Sequence, residues 1–145
     1  MNIKGPITIE GGCFCGAIRF RGVLNQQCIC HCHCEDCRRA SGAPFVTWAC
    51  FERHDFQIMA GVPRQHLKNE RVRYFCQDCG TQLFWLRAEN SPIICATVGS
   101  FDDPRQVTPQ IHIWTEDKLP WIPICDSLPI SARDELPTNP RNPAA

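Results

Sequence analysis

Short runs in which apolar or β-branched residues alternate with polar ones recur along the chain: ITIEG, AIRFRG, PFVTWACF, FQIMAG, VRYFC, QLFWL, IICATVGS and IHIWT. A period of two puts successive side chains on opposite faces of a strand, and Gly, Pro and Asn separate the runs. The pattern therefore predicts a mainly β domain of short antiparallel strands. Helical periodicity is confined to CEDCRRASG, which Gly42 ends and Pro44 follows, so a turn or two of helix is predicted there. Residues 1–127 show no internal linker and no repeat beyond C-x-C, and are expected to form a single domain. From Leu128 the sequence LPISARDELPTNPRNPAA turns polar and proline-rich, and residues 128–145 suit an extended tail, packed in part at most. Many short strands with few long apolar stretches imply a small core, of the kind a structural metal supports.

The charge balance narrows the classes of partner. Fifteen Lys and Arg offset fifteen Asp and Glu, so no strong field draws the protein toward nucleic acid or an anionic membrane, and small neutral or mixed-charge partners are expected. No apolar run approaches the ~18 residues of a membrane span. The opening MNIKGPITIEGG has neither the apolar stretch nor the small-residue cleavage site of a secretory signal. The expectation is a soluble, cytoplasmic protein.

That setting changes how the twelve cysteines are read. A reducing compartment keeps thiols free, and close C-x-C and C-x-x-C neighbours hold one ion better than they cross-link distant segments, so zinc is expected rather than a disulfide framework. Three clusters stand out: GGCFCG, with Cys13 and Cys15; CICHCHCEDC, with Cys28, Cys30, Cys32, Cys34 and Cys37; and FCQDCGT, with Cys76 and Cys79. The third has zinc-knuckle form, its C-x-x-C followed by Gly80, but it supplies two ligands where a structural zinc needs four. CFCG supplies two more with the same trailing glycine, at Gly16. Cys13, Cys15, Cys76 and Cys79 would thus make a closed four-thiolate site stapling the N-terminal region to a strand pair about sixty residues later, which restricts the unfolded chain.

The middle cluster leaves two choices on spacing alone. Along an extended segment Cys28, Cys30, Cys32 and Cys34 share one face while His31 and His33 point to the other. Either Cys28, Cys30, Cys34 and Cys37 close a second site, or Cys32, Cys34 and Cys37 hold an ion with one position open. Openness is what separates catalytic from structural zinc.

Taken together, GGCFCGAIRF, CHCEDCRRASGAPF, FCQDCGT and HIWTEDKLPW resemble the glutathione-dependent formaldehyde-activating enzyme family, small zinc proteins of β-tent type, over about residues 10–122. The resemblance implies two zinc ions, a structural one on Cys13, Cys15, Cys76 and Cys79 and a second on Cys32, Cys34 and Cys37, the catalytic site, with Cys28 and Cys30 outside the family pattern. It implies a carbon–sulfur lyase in which a small thiol such as glutathione, bound at the open position and deprotonated there, adds reversibly to formaldehyde. Arg38 and Arg39 follow the last ligand and are candidates for pairing a substrate carboxylate, the alternative being a solvated pair. His112 and Trp114, two apart on an expected strand, are candidates to line the cleft or else a core histidine and a packing aromatic.

The remaining cysteines have plainer readings. Cys50 and Cys95 in apolar runs, and Cys125, are expected to behave as small hydrophobes or free thiols. Against the enzyme stands a zinc-stabilised binding or scaffold protein with both ions fully coordinated by protein sulfur. Nucleic-acid binding through RQHLKNERVR is a weaker reading, since a strand with outward charges explains that run. Thiol redox chemistry is disfavoured because C-x-x-C-G-T suits a knuckle.

Overall fold

The computed structural model describes residues 5–25 and 28–134, and is mainly β, with ten strands and one α-helix among those residues. They fall into two compact units, one drawn from Met1–Gln27 and Ala49–Val107, the other from Cys28–Trp48 and Thr108–Ala145. Among the described residues no helix is long and apolar enough to cross a membrane.

In the first unit β1 (Ile7–Gly12) pairs antiparallel with β2 (Arg19–Leu24), which pairs with β5 (Phe56–Ala60). The alternation read from the sequence decides which side chains enter the core: Ile9, Phe20 and Leu24 are buried. Phe20 stacks on Phe56 at 5.4 Å and meets Phe84 and Phe101 edge-on at 5.2 and 6.1 Å. A buried phenylalanine contributes roughly 1.5–3 kcal/mol, so this cluster is a large part of the unit's apolar stabilisation. Gly11 and Gly22 make room for it, since a Cβ on Gly11 would stand 2.5 Å from the Phe20 ring and one on Gly22 would stand 2.8 Å from Phe51 and Phe56.

The remaining strands of this unit are β4 (Val46–Glu52), β9 (Ile93–Thr97), β8 (Gln82–Leu86), β7 (Arg71–Phe75) and β6 (Arg64–Lys68), adjacent in that order. β4 contributes its residues 49–52 here and 46–48 to the other unit. Within RQHLKNERVR the chain forms a hairpin in which Lys68 opposes Arg71 across Asn69 and Glu70, at φ 51° and 68°. Two positive φ values in a two-residue loop make a type I′ turn, whose twist matches the flanking strands. β6 lies at the sheet edge with all five residues exposed, which is why its sequence lacks an apolar face.

Cys50 and Cys95 depart from the expectation of free apolar thiols. They sit on the neighbouring strands β4 and β9 with Cα atoms 4.1 Å apart and are bonded to each other. Forty-five residues separate them, and the register that sets them face to face is a long-range property.

In the second unit β3 (Ile29–Cys32) lies between β4 and β10 (Ile111–Ile113). β10 runs parallel to β3, an exception to the antiparallel expectation, with Ile111 opposite Cys30, His112 opposite His31 and Ile113 opposite Cys32. Parallel neighbours need a long connection, and here nearly eighty residues intervene. Ile29, Val46, Trp48, Ile111 and Ile113 are buried. The start of the proline-rich stretch packs beside β10: Pro129 C=O accepts from the His112 N–H at 2.9 Å, the Ser131 N–H donates back to His112 C=O at 2.8 Å, and Arg133 C=O accepts from Trp114. The rest of the expected tail, residues 135–145, lies outside the described residues.

The helix α1 (Glu35–Ser41) follows β3 directly. Glu35 and Asp36 in its first turn and Arg38 and Arg39 in its last complement the helix dipole. Gly42, at φ 72°, ends it by donating its N–H to Arg38 C=O at 2.8 Å, the left-handed cap that the sequence led us to expect.

Candidate metal centres

The first unit brings Cys13, Cys15, Cys76 and Cys79 together, their sulfurs all within 4.8 Å of one another. Two matched turns achieve this. Gly16 donates to Cys13 C=O and Gly80 to Cys76 C=O, both glycines at left-handed φ, 83° and 79°, where a side chain is disfavoured. Thr81 ties the turns together, its hydroxyl accepting from the Phe14 N–H at 3.0 Å and lying 3.2 Å from Cys79 Sγ. Sulfurs 2.3 Å from a tetrahedral zinc stand about 3.8 Å apart. Cys13 and Cys15 are separated by 3.6 Å and Cys15 and Cys76 by 3.8 Å, so the donor set fits zinc.

The electrostatics of these thiols fit metal binding as well. Thr81, through its hydroxyl and then its amide, draws Cys79 down to about 6. Burial opposes ionisation of Cys13, but the Ile18 amide, donating to its sulfur at 3.1 Å, and the neighbouring thiols outweigh it, and its pKa falls. The Ala17 amide favours the Cys15 thiolate, yet adjacent Cys13 and the other sulfurs push Cys15 up to about 12. Crowded thiols resist ionising together, and a divalent cation relieves that repulsion.

In the second unit Cys32, Cys34 and Cys37 form a group of three, again within 4.8 Å, and among the described residues no fourth Cys, His, Asp or Glu joins it. Cys32 ends β3, Cys34 caps α1 and Cys37 lies on the buried side of the helix. Cys34 Sγ accepts from the Cys37 N–H at 3.2 Å, and the Trp48 indole N–H donates to Cys37 Sγ at 3.4 Å. Indole and amide donors thus hold two of the three sulfurs in place. Neighbouring Cys32 favours the Cys34 thiolate, but Cys37 and burial override it and raise Cys34 to about 11. Cys32 is raised as well, chiefly by Cys34 and Cys37.

Cys28 and Cys30 stand apart from both groups, and of the two spacings left open by the sequence the geometry assembles the one without them. Burial raises the pKa of each, which keeps them as protonated, apolar thiols. Cys125 is exposed. Arg38 is half-buried and makes no side-chain hydrogen bond or ion pair among the described residues, whereas Arg39 is held by Glu35 at 2.9 Å. Of the two arginines after the last cysteine, Arg38 is therefore the one whose guanidinium is uncommitted.

His112 is buried, and its ring bonds on both sides: Nδ1 lies 2.8 Å from His33 Nε2, and Nε2 lies 2.8 Å from Asp126 Oδ2. Asp126 was not singled out by the sequence, since nothing in CDSLP marks a partner for a histidine fourteen residues earlier. Burial, then the neighbouring His112, lowers His33 to about 4, and His33 Nδ1 is buried with no hydrogen-bond partner among the described residues. Trp114 does not share a strand face with His112 as expected. β10 ends at Ile113, and Trp114 takes φ 57°, which breaks the alternation.

Comparison with known proteins bears on both centres. The family described as glutathione-dependent formaldehyde-activating enzyme matches residues 8–117. An uncharacterized lyase of Schizosaccharomyces pombe is 25% identical over 109 residues, 75% of this chain and 80% of its own. A Halomonas elongata protein provisionally named a glutathione-dependent formaldehyde-activating enzyme is 23% identical over 128 residues, 81% of this chain and 82% of its own. A crystal structure of a Rhodobacter sphaeroides protein shares the fold, with a TM-score of 0.57 at 22% identity, covering 67% of this chain and 93% of that one.

Proposed function

This chain belongs to the glutathione-dependent formaldehyde-activating enzyme family, and we propose that it adds a small thiol, glutathione or one like it, reversibly to formaldehyde or a related small carbonyl. The observation that carries this reading is the contrast between the two cysteine groups: four sulfurs converge in one, three in the other. On this reading Cys13, Cys15, Cys76 and Cys79 hold a structural zinc and Cys32, Cys34 and Cys37 hold the second. Three thiolates would leave a zinc ion held by Cys32, Cys34 and Cys37 one position short of a closed shell, and the chemistry it would supply there is to favour ionisation of an incoming thiol near neutral pH.

The protein's own residues prepare that chemistry. The Trp48 N–H and the Cys37 amide, donating to Cys37 and Cys34, damp the charge that three thiolates accumulate and fix their direction. The uncommitted guanidinium of Arg38, one residue beyond the last ligand, offers a bidentate partner for a carboxylate of the thiol substrate. In the addition a bond forms between substrate sulfur and carbonyl carbon, the C=O π pair passes to oxygen, and that oxygen takes a proton from water. The reverse step breaks the carbon–sulfur bond. Two names support the class: one relative is called a lyase, the other is named for glutathione-dependent formaldehyde activation.

The test is the rate at which isotope-labelled formaldehyde and glutathione form their S-hydroxymethyl adduct in the presence of zinc-loaded protein. Saturable acceleration is expected. Cys34→Ser should abolish it and remove one zinc per chain while leaving the other. Absence of acceleration at full zinc occupancy, with a panel of small thiols, overturns the proposal in favour of a non-catalytic zinc scaffold.

A further inference from the structure

The face of β3 opposite its cysteines carries a second kind of donor cluster. Because β3 and β10 run parallel with His31 directly opposite His112, the two imidazoles stand side by side with centroids 4.8 Å apart. The loop after β10 returns Asp126 to the same place, its Oδ2 2.8 Å from His112 Nε2. One ligand atom from each of His31, His112 and Asp126 lies within 4.8 Å of the others.

Each histidine is also oriented from behind. Thr47 Oγ1 lies 2.8 Å from His31 Nδ1, and His33 Nε2 lies 2.8 Å from His112 Nδ1. Both bonds occupy Nδ1 and leave each ring its Nε2, which in His112 lies against Asp126. Outer hydrogen bonds to the non-coordinating nitrogen are the usual support of metal-binding histidines. The cluster is also an expensive way to fill a core. His33 is fully buried and its Nδ1 has no hydrogen-bond partner among the described residues, an omission that costs stability and that apolar side chains packing the same volume would avoid.

We propose that His31, His112 and Asp126 form a third metal site, separate from both cysteine groups, that takes a divalent first-row transition ion through two imidazoles and one carboxylate. Two neutral histidines and one carboxylate offset one of the ion's two charges, and this harder donor set selects against the soft, thiolate-rich chemistry of the cysteine groups. His112 is buried and His31 half-buried, while the Asp126 side chain is 43% exposed. The ion therefore enters past the carboxylate, and water completes its shell. The proposal does not depend on the lyase reading.

The experiment is a titration of Co²⁺ into full-length protein whose cysteine groups are already filled with zinc. One further equivalent is expected, with the weak visible absorption of a nitrogen–oxygen cobalt site and no thiolate-to-cobalt charge transfer in the near ultraviolet. Asp126→Ala, at an exposed position, and His31→Gln should each weaken that equivalent at least tenfold, and Thr47→Val severalfold. Cys34→Ser should leave it in place. If no further equivalent binds, if it carries thiolate charge transfer, or if Asp126→Ala and His31→Gln leave it unchanged, the site is a structural hydrogen-bond chain and the proposal fails.

Discussion

Gly61 shows how little room single positions leave. It sits at φ 76°, and a Cβ there would stand 2.2 Å from the Ala17 carbonyl oxygen and 2.7 Å from Ile18. Gly61→Ala combines a left-handed conformation with a backbone clash and should destabilise the protein by roughly 2 kcal/mol or more, read from denaturant midpoints. Asp102 makes a gentler case. Arg19 donates through both Nη atoms to its carboxylate, one contact at 2.9 Å, and holds its pKa below the usual range. The partners are 38% and 51% exposed, so Asp102→Asn should lower stability by no more than about 1 kcal/mol. Because the folded value is the depressed one, this contribution is complete above the ordinary carboxylate pKa and is lost as pH falls through the lower, folded value. The wild-type and Asp102→Asn stabilities should therefore converge in strong acid, measured by urea unfolding across a pH series. Neither residue was marked by the sequence, because a clash with Ala17 and a pair spanning eighty-three positions exist only once the strands are in register. The cysteine groupings were legible, since turn glycines and short spacings are local.

At the level of the element, strands with one buried face announced themselves through alternation, and the helix through its final glycine. β6 was legible only as a strand with outward charges and β3 only as an extended run of ligands, for opposite reasons. RQHLK is exposed throughout, so no apolar side needed to be written into it, while ICHC alternates cysteine with histidine, a pattern that reports ligands before it reports faces. The parallel partner of β3 was likewise invisible, lying nearly eighty residues away. The hairpin between β6 and β7 offers a test of local chemistry. Glu70 holds φ 68° in a turn that favours Asn-Gly, so Glu70→Gly should stabilise the protein by about 0.5–1 kcal/mol, seen as a higher thermal midpoint with an unchanged unfolding slope.

For the molecule as a whole, the proposed ions carry more than any one strand pair. Residues of the four-sulfur group are separated by up to sixty-six positions, and structural zinc sites of this kind contribute on the order of 10 kcal/mol of apparent binding energy. Stripping zinc with a strong chelator, or Cys76→Ser, should lower the thermal midpoint sharply, and zinc added back should restore the chelated protein but not the variant. Circular dichroism during a chelator titration measures this directly. On the same ligand sets, sequence distance imposes a timetable on synthesis. Cys32, Cys34 and Cys37 leave the ribosome within six residues of one another, so they could capture an ion before Cys76, Cys79 and β10 have emerged. A nascent chain thus carries one centre ready to load and one waiting, and in a zinc-poor cell the competition for metal opens at the earlier of the two.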